Sequence, residues 1–167
     1  MKTISGFAPT SVVGARVLIL GSMPGIASLE RRQYYGHPRN VFWRIMAEIF
    51  DFDVNISYEN RLEKMDAEGI ALWDVLKTCQ RPSSLDADIV ASSVMPNDFS
   101  EFLVQRSSMR KIYFNGAKAE ALFTRHVSRN FVSQLVDVQL HRLPSTSPAF
   151  ASMGYTQKLS CWRAIVA

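Results

Sequence analysis

The residues best able to do chemistry lie in short segments that each follow a run of apolar residues. Gly21-Ser22-Met23-Pro24-Gly25 follows the first run, Asp74 and Asn115 follow the second and third, and a segment rich in hydroxyl groups occupies 144–150. Loop N–H groups bind anions, a carboxylate accepts hydrogen bonds, and hydroxyl groups contact phosphates. The first loop lacks the Lys-Ser/Thr of a nucleotide phosphate loop and the spacing of a dinucleotide fingerprint, so those functions are not indicated.

Four apolar runs predict the strands that would position these segments. They occupy residues 16–20, 69–73, 111–114 and 136–143. Continuous apolar runs favour short strands that are covered on both faces.

Segments with a helical pattern separate the predicted strands. Apolar residues at helical spacing after Pro38 predict a helix over 41–49, and further helices are predicted over 58–68, 98–106, 117–127 and 155–165. This alternation predicts a parallel sheet between helix layers. Because ligands bind beyond the carboxyl ends of such strands, we expect the loops that begin at Gly21, Asp74, Asn115 and Pro144 to form one site.

Length and composition indicate a single globular domain over 1–167. The chain is 47% hydrophobic and 20% charged, close to the globular average. Its net charge of +4 and pI near 9.3 suit a polyanionic partner and equally suit an ordinary basic protein. The first ten residues lack a signal-peptide pattern, and no apolar run approaches the ~18 residues of a membrane helix. We therefore expect a cytoplasmic protein with no membrane partner.

A metal centre is not indicated by the cysteines. Cys79 and Cys161 lie far apart, without a Cys-x-x-Cys pair or a nearby histidine cluster. Zinc and iron–sulfur sites usually need three or four such ligands. We expect two reduced thiols, no metal and no cofactor.

Four ordered motifs carry a family resemblance. They are Gly21-Ser22-Met23-Pro24, Tyr34-Tyr35-Gly36-His37-Pro38-Arg39-Asn40, Ala71-Leu72-Trp73-Asp74-Val75-Leu76 and Leu143-Pro144-Ser145-Thr146-Ser147-Pro148. In this order and spacing they resemble the uracil-DNA glycosylase superfamily, most fully its deoxyinosine (hypoxanthine) glycosylase branch. The resemblance implies a three-layer α/β/α sandwich around a four-stranded parallel sheet, with a pocket for a base flipped out of DNA. It also implies a metal-free glycosylase of base excision repair that removes hypoxanthine or uracil.

Two positions depart from other branches of that superfamily. Met23 stands where the mismatch-specific branch has a water-positioning asparagine, and Leu143 where the uracil-specific branch has a histidine that stabilises the leaving base. Asn40 is therefore the candidate catalytic residue, since its carbonyl can orient a water at a helix start. The resembled branch also places its catalytic asparagine in this motif. The alternative is a capping asparagine. Backbone N–H groups of Ser22 and Met23 would bind the leaving base.

Base binding is predicted around the same loops. Tyr35 occupies the position of the family's stacking aromatic residue. Asp74 stands where the uracil-specific branch reads the base edge with an asparagine. A carboxylate would accept the ring N–H of hypoxanthine or uracil, which adenine lacks, although a helix cap or a salt-bridged aspartate is the alternative. The predicted base-binding set also includes Gly21, Ser22, Met23, Pro24 and Asn115.

DNA contacts are predicted mainly from the segment 144–150. In the resembled family this loop grips phosphate and enters the duplex. The predicted contacts are Pro144, Ser145, Thr146, Ser147, Pro148 and Phe150, together with Arg81. Phe150 is either an intercalating wedge or a core anchor. His37 and His141 could act as acids, but lone histidines near turns are more often structural.

Two alternatives stay open. One is a mismatch-specific uracil or thymine glycosylase. The other, motivated by Met23 and Leu143, is a non-catalytic DNA-binding domain of the same fold. The expected partner is DNA that contains a deaminated base, and we expect a monomer.

Overall fold

Four parallel strands form the main sheet of the molecule. The computed structural model describes residues 2–10, 13–127 and 135–166. The strands are β2 (Val17–Gly21), β3 (Ile70–Asp74), β6 (Lys111–Asn115) and β7 (Gln139–Leu143). They are ordered β3-β2-β6-β7, and each neighbouring pair is parallel. The expected four-stranded parallel sheet is confirmed.

Each face of this sheet carries its own hydrophobic core. Leu18 and Leu20 belong to one core and Ile19 to the other, because successive side chains of a strand point to opposite faces. Helices α4 (Phe99–Gln105) and α5 (Ala117–His126) cover the first face. Helices α2 (Phe42–Ile49), α3 (Tyr58–Ala67) and α6 (Tyr155–Trp162) cover the second. The expected α/β/α sandwich is therefore confirmed.

The helices begin and end close to the predicted positions. The Ser57 hydroxyl caps α3 by accepting the N–H of Asn60 at 3.1 Å, and Asp98 caps α4. Helix α6 ends at Trp162 and continues as a 3-10 turn over Arg163–Val166. Helix α1 (Ile26–Arg31) was not predicted, because it is short and begins directly after the glycine-rich loop. Within the described ranges, no helix has the length and hydropathy to cross a membrane.

A second, antiparallel sheet was not predicted. Its strands are β1 (Thr3–Ser5), β4 (Leu76–Gln80) and β5 (Met95–Pro96), in the order β1-β4-β5. Two of these strands are very short, and β4 carries the polar sequence Lys-Thr-Cys-Gln, so no apolar pattern marks them. The consequence for the site is that β4 carries the chain on from β3, after the single residue Val75, and leads into the segment 81–89.

The prediction for the last strand was wrong in extent and burial. Residues 136–143 were expected to form a strand covered on both faces. The strand spans only Gln139–Leu143, and of its residues only Leu143 is buried. Among the described residues β7 pairs only with β6 and is an edge strand, which explains the polar side chains of Gln139, His141 and Arg142.

The parallel strands end level with one another. Gly21 pairs with Asp74, Leu20 with Phe114, and Asn115 with Leu143. The four predicted loops therefore leave the sheet along one edge, and the candidate site lies there.

Candidate active site

A cavity of about 670 Å³ opens at this edge of the sheet. Ligand pockets commonly measure about 300–1,000 Å³, so the cavity is large enough for a purine or pyrimidine base. All four predicted loops line it, together with residues of the segment before α2 and of a 3-10 turn. The predicted site residues that line it are Gly21, Ser22, Met23, Pro24, Tyr35, Asn40, Asp74, Asn115, Ser145, Thr146, Ser147, Pro148 and Phe150.

Gly21 and Asp74 are in very close contact across β2 and β3. A Cβ atom at Gly21 would overlap the Oδ1 atom of Asp74 and would lie 3.7 Å from the hydroxyl of Tyr35. The carboxyl group of Asp74 therefore occupies the space that a side chain at position 21 would need. This packing fixes the carboxyl group on the cavity wall.

The Asp74 carboxyl group is buried and incompletely paired. The residue is 4% exposed, and its Oδ2 atom has no hydrogen-bond partner among the described residues. Burial, followed by the charge of Asp86, raises the pKa of Asp74 to about 7, although Arg81 acts in the opposite direction. Among the described residues no salt bridge includes Asp74. The alternative of a salt-bridged aspartate is therefore wrong.

Tyr35 combines a stacked ring with an unpaired hydroxyl. Its ring stacks on Phe42 with centroids 3.9 Å apart, and its buried hydroxyl has no hydrogen-bond partner among the described side chains and backbone. Burial, followed by the charge of Asp74, raises the pKa of this hydroxyl. Its φ of 56° lies in the left-handed region, which few non-glycine residues adopt.

The turn 34–36, which contains Tyr35, is held in place by side chains that the sequence did not single out. Ser28 accepts the N–H of Gly36 at 2.9 Å, and Arg31 donates to the carbonyl of Gly36 at 2.9 Å. Trp43 donates to the carbonyl of Tyr34 at 2.9 Å. Two of these three supports come from α1, so missing that helix also meant missing them.

Asn40 lies at the cavity wall, two residues before the first residue of α2. Its Oδ1 atom accepts the N–H of Phe42 at 3.0 Å, so the residue does have the turn-capping bond of the alternative interpretation. The next N–H, that of Val41, donates to the carbonyl of Thr146 at 3.1 Å. This bond joins the Asn40 segment to the loop that follows β7. The Asn40 amide is thereby held in one orientation beside the cavity.

Asn115 and Thr146 hold the loop after β7 by a reciprocal pair of hydrogen bonds. Asn115 Nδ2 donates to the Thr146 hydroxyl, and the Thr146 N–H donates to Asn115 Oδ1, both at 2.9 Å. Thr146 is 1% exposed. Its predicted phosphate contact is therefore wrong, because its hydroxyl and N–H are buried against Asn115. Asn115 does line the cavity, although both ends of its amide already have partners.

Arg81 and Pro144 also differ from their predicted DNA contacts. The Arg81 side chain has no exposed surface. Its guanidinium donates to the carbonyls of Ser83 and Pro24 and lies 3.8 Å from Asp86. A DNA phosphate cannot reach a guanidinium that is buried in this way, so the prediction for Arg81 was wrong. Pro144 does not line the cavity, and its carbonyl accepts the Trp162 ring N–H at 2.9 Å.

The two histidines have different surroundings. His37 lines the cavity, and its Nδ1 atom accepts the N–H of Arg39 at 3.1 Å within a turn. His141 is exposed on β7 and stacks on Tyr113, with centroids 5.2 Å apart. His141 does not line the cavity, so its contact with Tyr113 favours a structural role. Met23 and Leu143 are both 6% exposed.

One wall of the cavity comes from a segment that was not predicted to take part. Ser84, Leu85, Asp86 and Ala87 line the cavity, and Asp86–Asp88 forms a 3-10 turn. The Ser84 hydroxyl accepts the N–H of Ile26 at 3.0 Å, which joins this wall to α1. The segment follows β4, and only prediction of that polar strand would have placed it here. Among the described residues no group of three or more His, Cys, Asp or Glu side chains could hold a metal ion.

Comparisons with known proteins agree with this geometry. Residues 9–166 match the family model of the Uracil DNA glycosylase superfamily. The chain is 39% identical over 115 residues to a hypoxanthine DNA glycosylase of Methanosarcina barkeri, with 68% of this chain and 72% of that protein covered. It is 36% identical to a hypoxanthine DNA glycosylase of Methanosarcina acetivorans over the same shares of the two chains.

A solved structure is similar over the whole length of the chain. It is the solution NMR structure of a Methanosarcina acetivorans protein provisionally named a uracil DNA glycosylase. The TM-score is 0.79 at 29% identity, and the match covers 99% of this chain and 100% of that one. The family resemblance expected from the four motifs is confirmed, and the chain belongs to the uracil-DNA glycosylase superfamily.

Proposed function

We propose that the chain is a DNA glycosylase that hydrolyses the N-glycosidic bond of a flipped-out deaminated base, hypoxanthine or uracil, in base excision repair. The observation that carries the proposal is a pair of buried polar atoms, Asp74 Oδ2 and the Tyr35 hydroxyl, in residues that line the cavity. Neither atom has a hydrogen-bond partner among the described residues. Because buried polar groups are nearly always paired, a polar ligand is expected to complete them. The relatives named hypoxanthine DNA glycosylase support this substrate class.

Base recognition follows from what a carboxylate can do. Hypoxanthine and uracil present a ring N–H beside a carbonyl, and Asp74 accepts such a hydrogen when it is ionised, that is, above its pKa of about 7. Adenine has no proton on the corresponding ring nitrogen, so it leaves the carboxylate unpaired, at a cost of about 1–3 kcal/mol. Phe42 stacks on Tyr35, and the base stacks on the cavity side of the same ring, which contributes about 1–3 kcal/mol.

Asn40 positions the attacking water. Its carbonyl oxygen has two acceptor sites, and the N–H of Phe42 occupies one of them. The other accepts a hydrogen of the water and directs its oxygen toward the sugar, which develops oxocarbenium character as the base departs. The base leaves with negative charge, and the backbone N–H groups of Ser22 and Met23 stabilise it. The reaction uses no metal and no cofactor.

The loop after β7 contacts the DNA. Phe150 is 37% exposed and lines the cavity, which favours a wedge that fills the gap left by the base over a core anchor. Ser145 and Ser147 stay the predicted phosphate contacts, and Pro148 stays a predicted DNA contact. A monomeric state, a single domain over 1–167 and a cytoplasmic location are further parts of this proposal.

A panel of oligonucleotides tests the proposed function. Duplexes and single strands that contain one hypoxanthine, one uracil, a thymine opposite guanine or no damage are incubated with the protein in EDTA and then treated with alkali. We expect strand breaks only at hypoxanthine or uracil. Breaks at mismatched thymine would support the mismatch-specific alternative. Binding of damaged DNA without breaks would support the non-catalytic alternative and contradict the proposal.

A further inference from the structure

Lys158 is a buried cation without an acidic partner. It lies in α6 and is 5% exposed. None of the salt bridges among the described residues includes it. Burying an ammonium group is costly unless polar groups replace its water. The contacts of the Lys158 ammonium should therefore explain why a lysine is present at this position.

Within the part of the chain that the structure describes, the partners of this ammonium belong to the loop that follows β7. Its Nζ atom donates to the carbonyl of Phe150 at 2.8 Å and to that of Ser147 at 3.4 Å. It also lies 5.2 Å from the centroid of the Phe150 ring, within the range of a cation–π interaction. The ammonium thus contacts the backbone at both ends of the turn 147–150 and the side chain proposed as the wedge.

The same helix face holds the start of the loop. Trp162, one turn after Lys158 in α6, donates its ring N–H to the carbonyl of Pro144 at 2.9 Å. Beside the loop lies a second, open cavity of about 140 Å³, which Phe150 and Lys158 both line. The turn itself is closed by the Phe150 N–H, which donates to the carbonyl of Ser147 at 3.1 Å, so the Lys158 bonds serve to hold this closed turn against α6.

We propose that Lys158 is a positioning residue that holds the turn 147–150 so that Phe150 can enter duplex DNA. The proposal rests on the glycosylase function and on the wedge role of Phe150. Lys158 acts through the loop and contacts neither the base nor the sugar. Its loss should therefore slow reactions that need extrusion of a paired base and spare those on single strands, where little extrusion work remains.

Single-turnover cleavage by Lys158→Met, compared on duplex and single-stranded substrates, tests the proposal. Methionine keeps the length of the side chain and removes its donors. We expect roughly tenfold slower cleavage of the duplex, since a charged hydrogen bond used mainly during extrusion changes a rate by about that factor. Cleavage of the single strand should change by less than about threefold. Lys158→Arg, which can donate to both carbonyls, should restore most of the duplex rate.

Two further measurements separate this role from other roles of Lys158. In a Phe150→Ala background, Lys158→Met should slow the duplex reaction little further, because both changes remove the same wedge. If Lys158 instead bound a phosphate, its loss would lower the slope of log Kd against log salt by about one; we expect no change. Lys64→Met, which removes an exposed lysine from α3 away from both cavities, is the control.

The outcomes that overturn the proposal are distinct from those that overturn the function. Equal slowing on duplex and single strand, no slowing on either, additive effects with Phe150→Ala, or a reduced salt slope would each contradict it. If Lys158→Met does not fold, Lys158→Gln replaces it and is compared with Lys158→Arg in the same assays. Absence of cleavage by the unaltered protein on every substrate would instead contradict the glycosylase function.

Discussion

Replacement of Asp74 by asparagine should change how the stability of the protein depends on pH. Burial, together with the charge of Asp86, raises the pKa of Asp74 from 3.8 to about 7 in the folded state. In the unfolded chain the carboxyl group titrates near its ordinary value. At pH values between these two pKa values, the Asp74 carboxyl group is protonated in the folded protein and ionised in the unfolded chain. The free energy of unfolding therefore falls as the pH rises through this range and levels off above it.

The expected change in the free energy of unfolding follows from the shift in the pKa of Asp74. Each pH unit between the two pKa values changes the free energy of unfolding by about 1.4 kcal/mol. From about pH 5 to about pH 8 the Asp74 contribution therefore falls by about 3 kcal/mol. For a protein of this size, that corresponds to a shift in Tm of about 6–12 °C. Asparagine does not ionise, so the Asp74→Asn variant lacks this contribution.

Urea unfolding at about pH 5 and about pH 8 measures the effect. The fluorescence of Trp43, Trp73 and Trp162, which are all buried, reports unfolding. The stability of Asp74→Asn minus that of the unaltered protein should grow by about 3 kcal/mol between the two pH values. Asp66→Asn, which removes an exposed carboxyl group from α3, is the control. An equal difference between Asp74→Asn and the unaltered protein at both pH values would refute the reasoning.

Four further outcomes follow from the site. Asn40→Ala should reduce the single-turnover rate by roughly 10²-fold with nearly unchanged DNA affinity, since water positioning acts in the transition state; a near-normal rate in the same assay would move the catalytic role elsewhere. Phe150→Ala should slow duplex cleavage more than single-strand cleavage with little change in Tm, because the ring is partly exposed; equal slowing with a lowered Tm would identify a core anchor. Gly21→Ala should displace the Asp74 carboxyl group and reduce discrimination between hypoxanthine and adenine, as a base panel would reveal. Asp74→Asn should also relax base preference while leaving DNA binding intact, because the amide can donate as well as accept; an unchanged panel would argue against base reading at this position.

The sequence located the site because its signals are local. Gly21, Asp74, Asn115 and Pro144 each follow an apolar run, and a parallel sheet brings such strand ends together without further information. The motif from Tyr34 to Asn40, which was recognised by family resemblance, predicted a further part of the cavity lining. Neither signal depends on how a side chain packs, so both could be used before the fold was known.

The predictions that were wrong concern what individual side chains touch. Arg81 and Thr146 have the residue types of phosphate contacts, but each is buried against partners that are distant in sequence. β4 was missed because its sequence is polar, and the wall at Ser84–Ala87 was missed with it. Local sequence patterns do not predict such long-range hydrogen bonds.

The overlap between a side chain at position 21 and the Asp74 carboxyl group couples the two positions in evolution and in design. A family member with a shorter residue at position 74 has room for alanine at position 21, whereas one with aspartate does not. A redesign of base specificity should therefore vary positions 21 and 74 as a pair, because a side chain added at position 21 displaces the group at position 74.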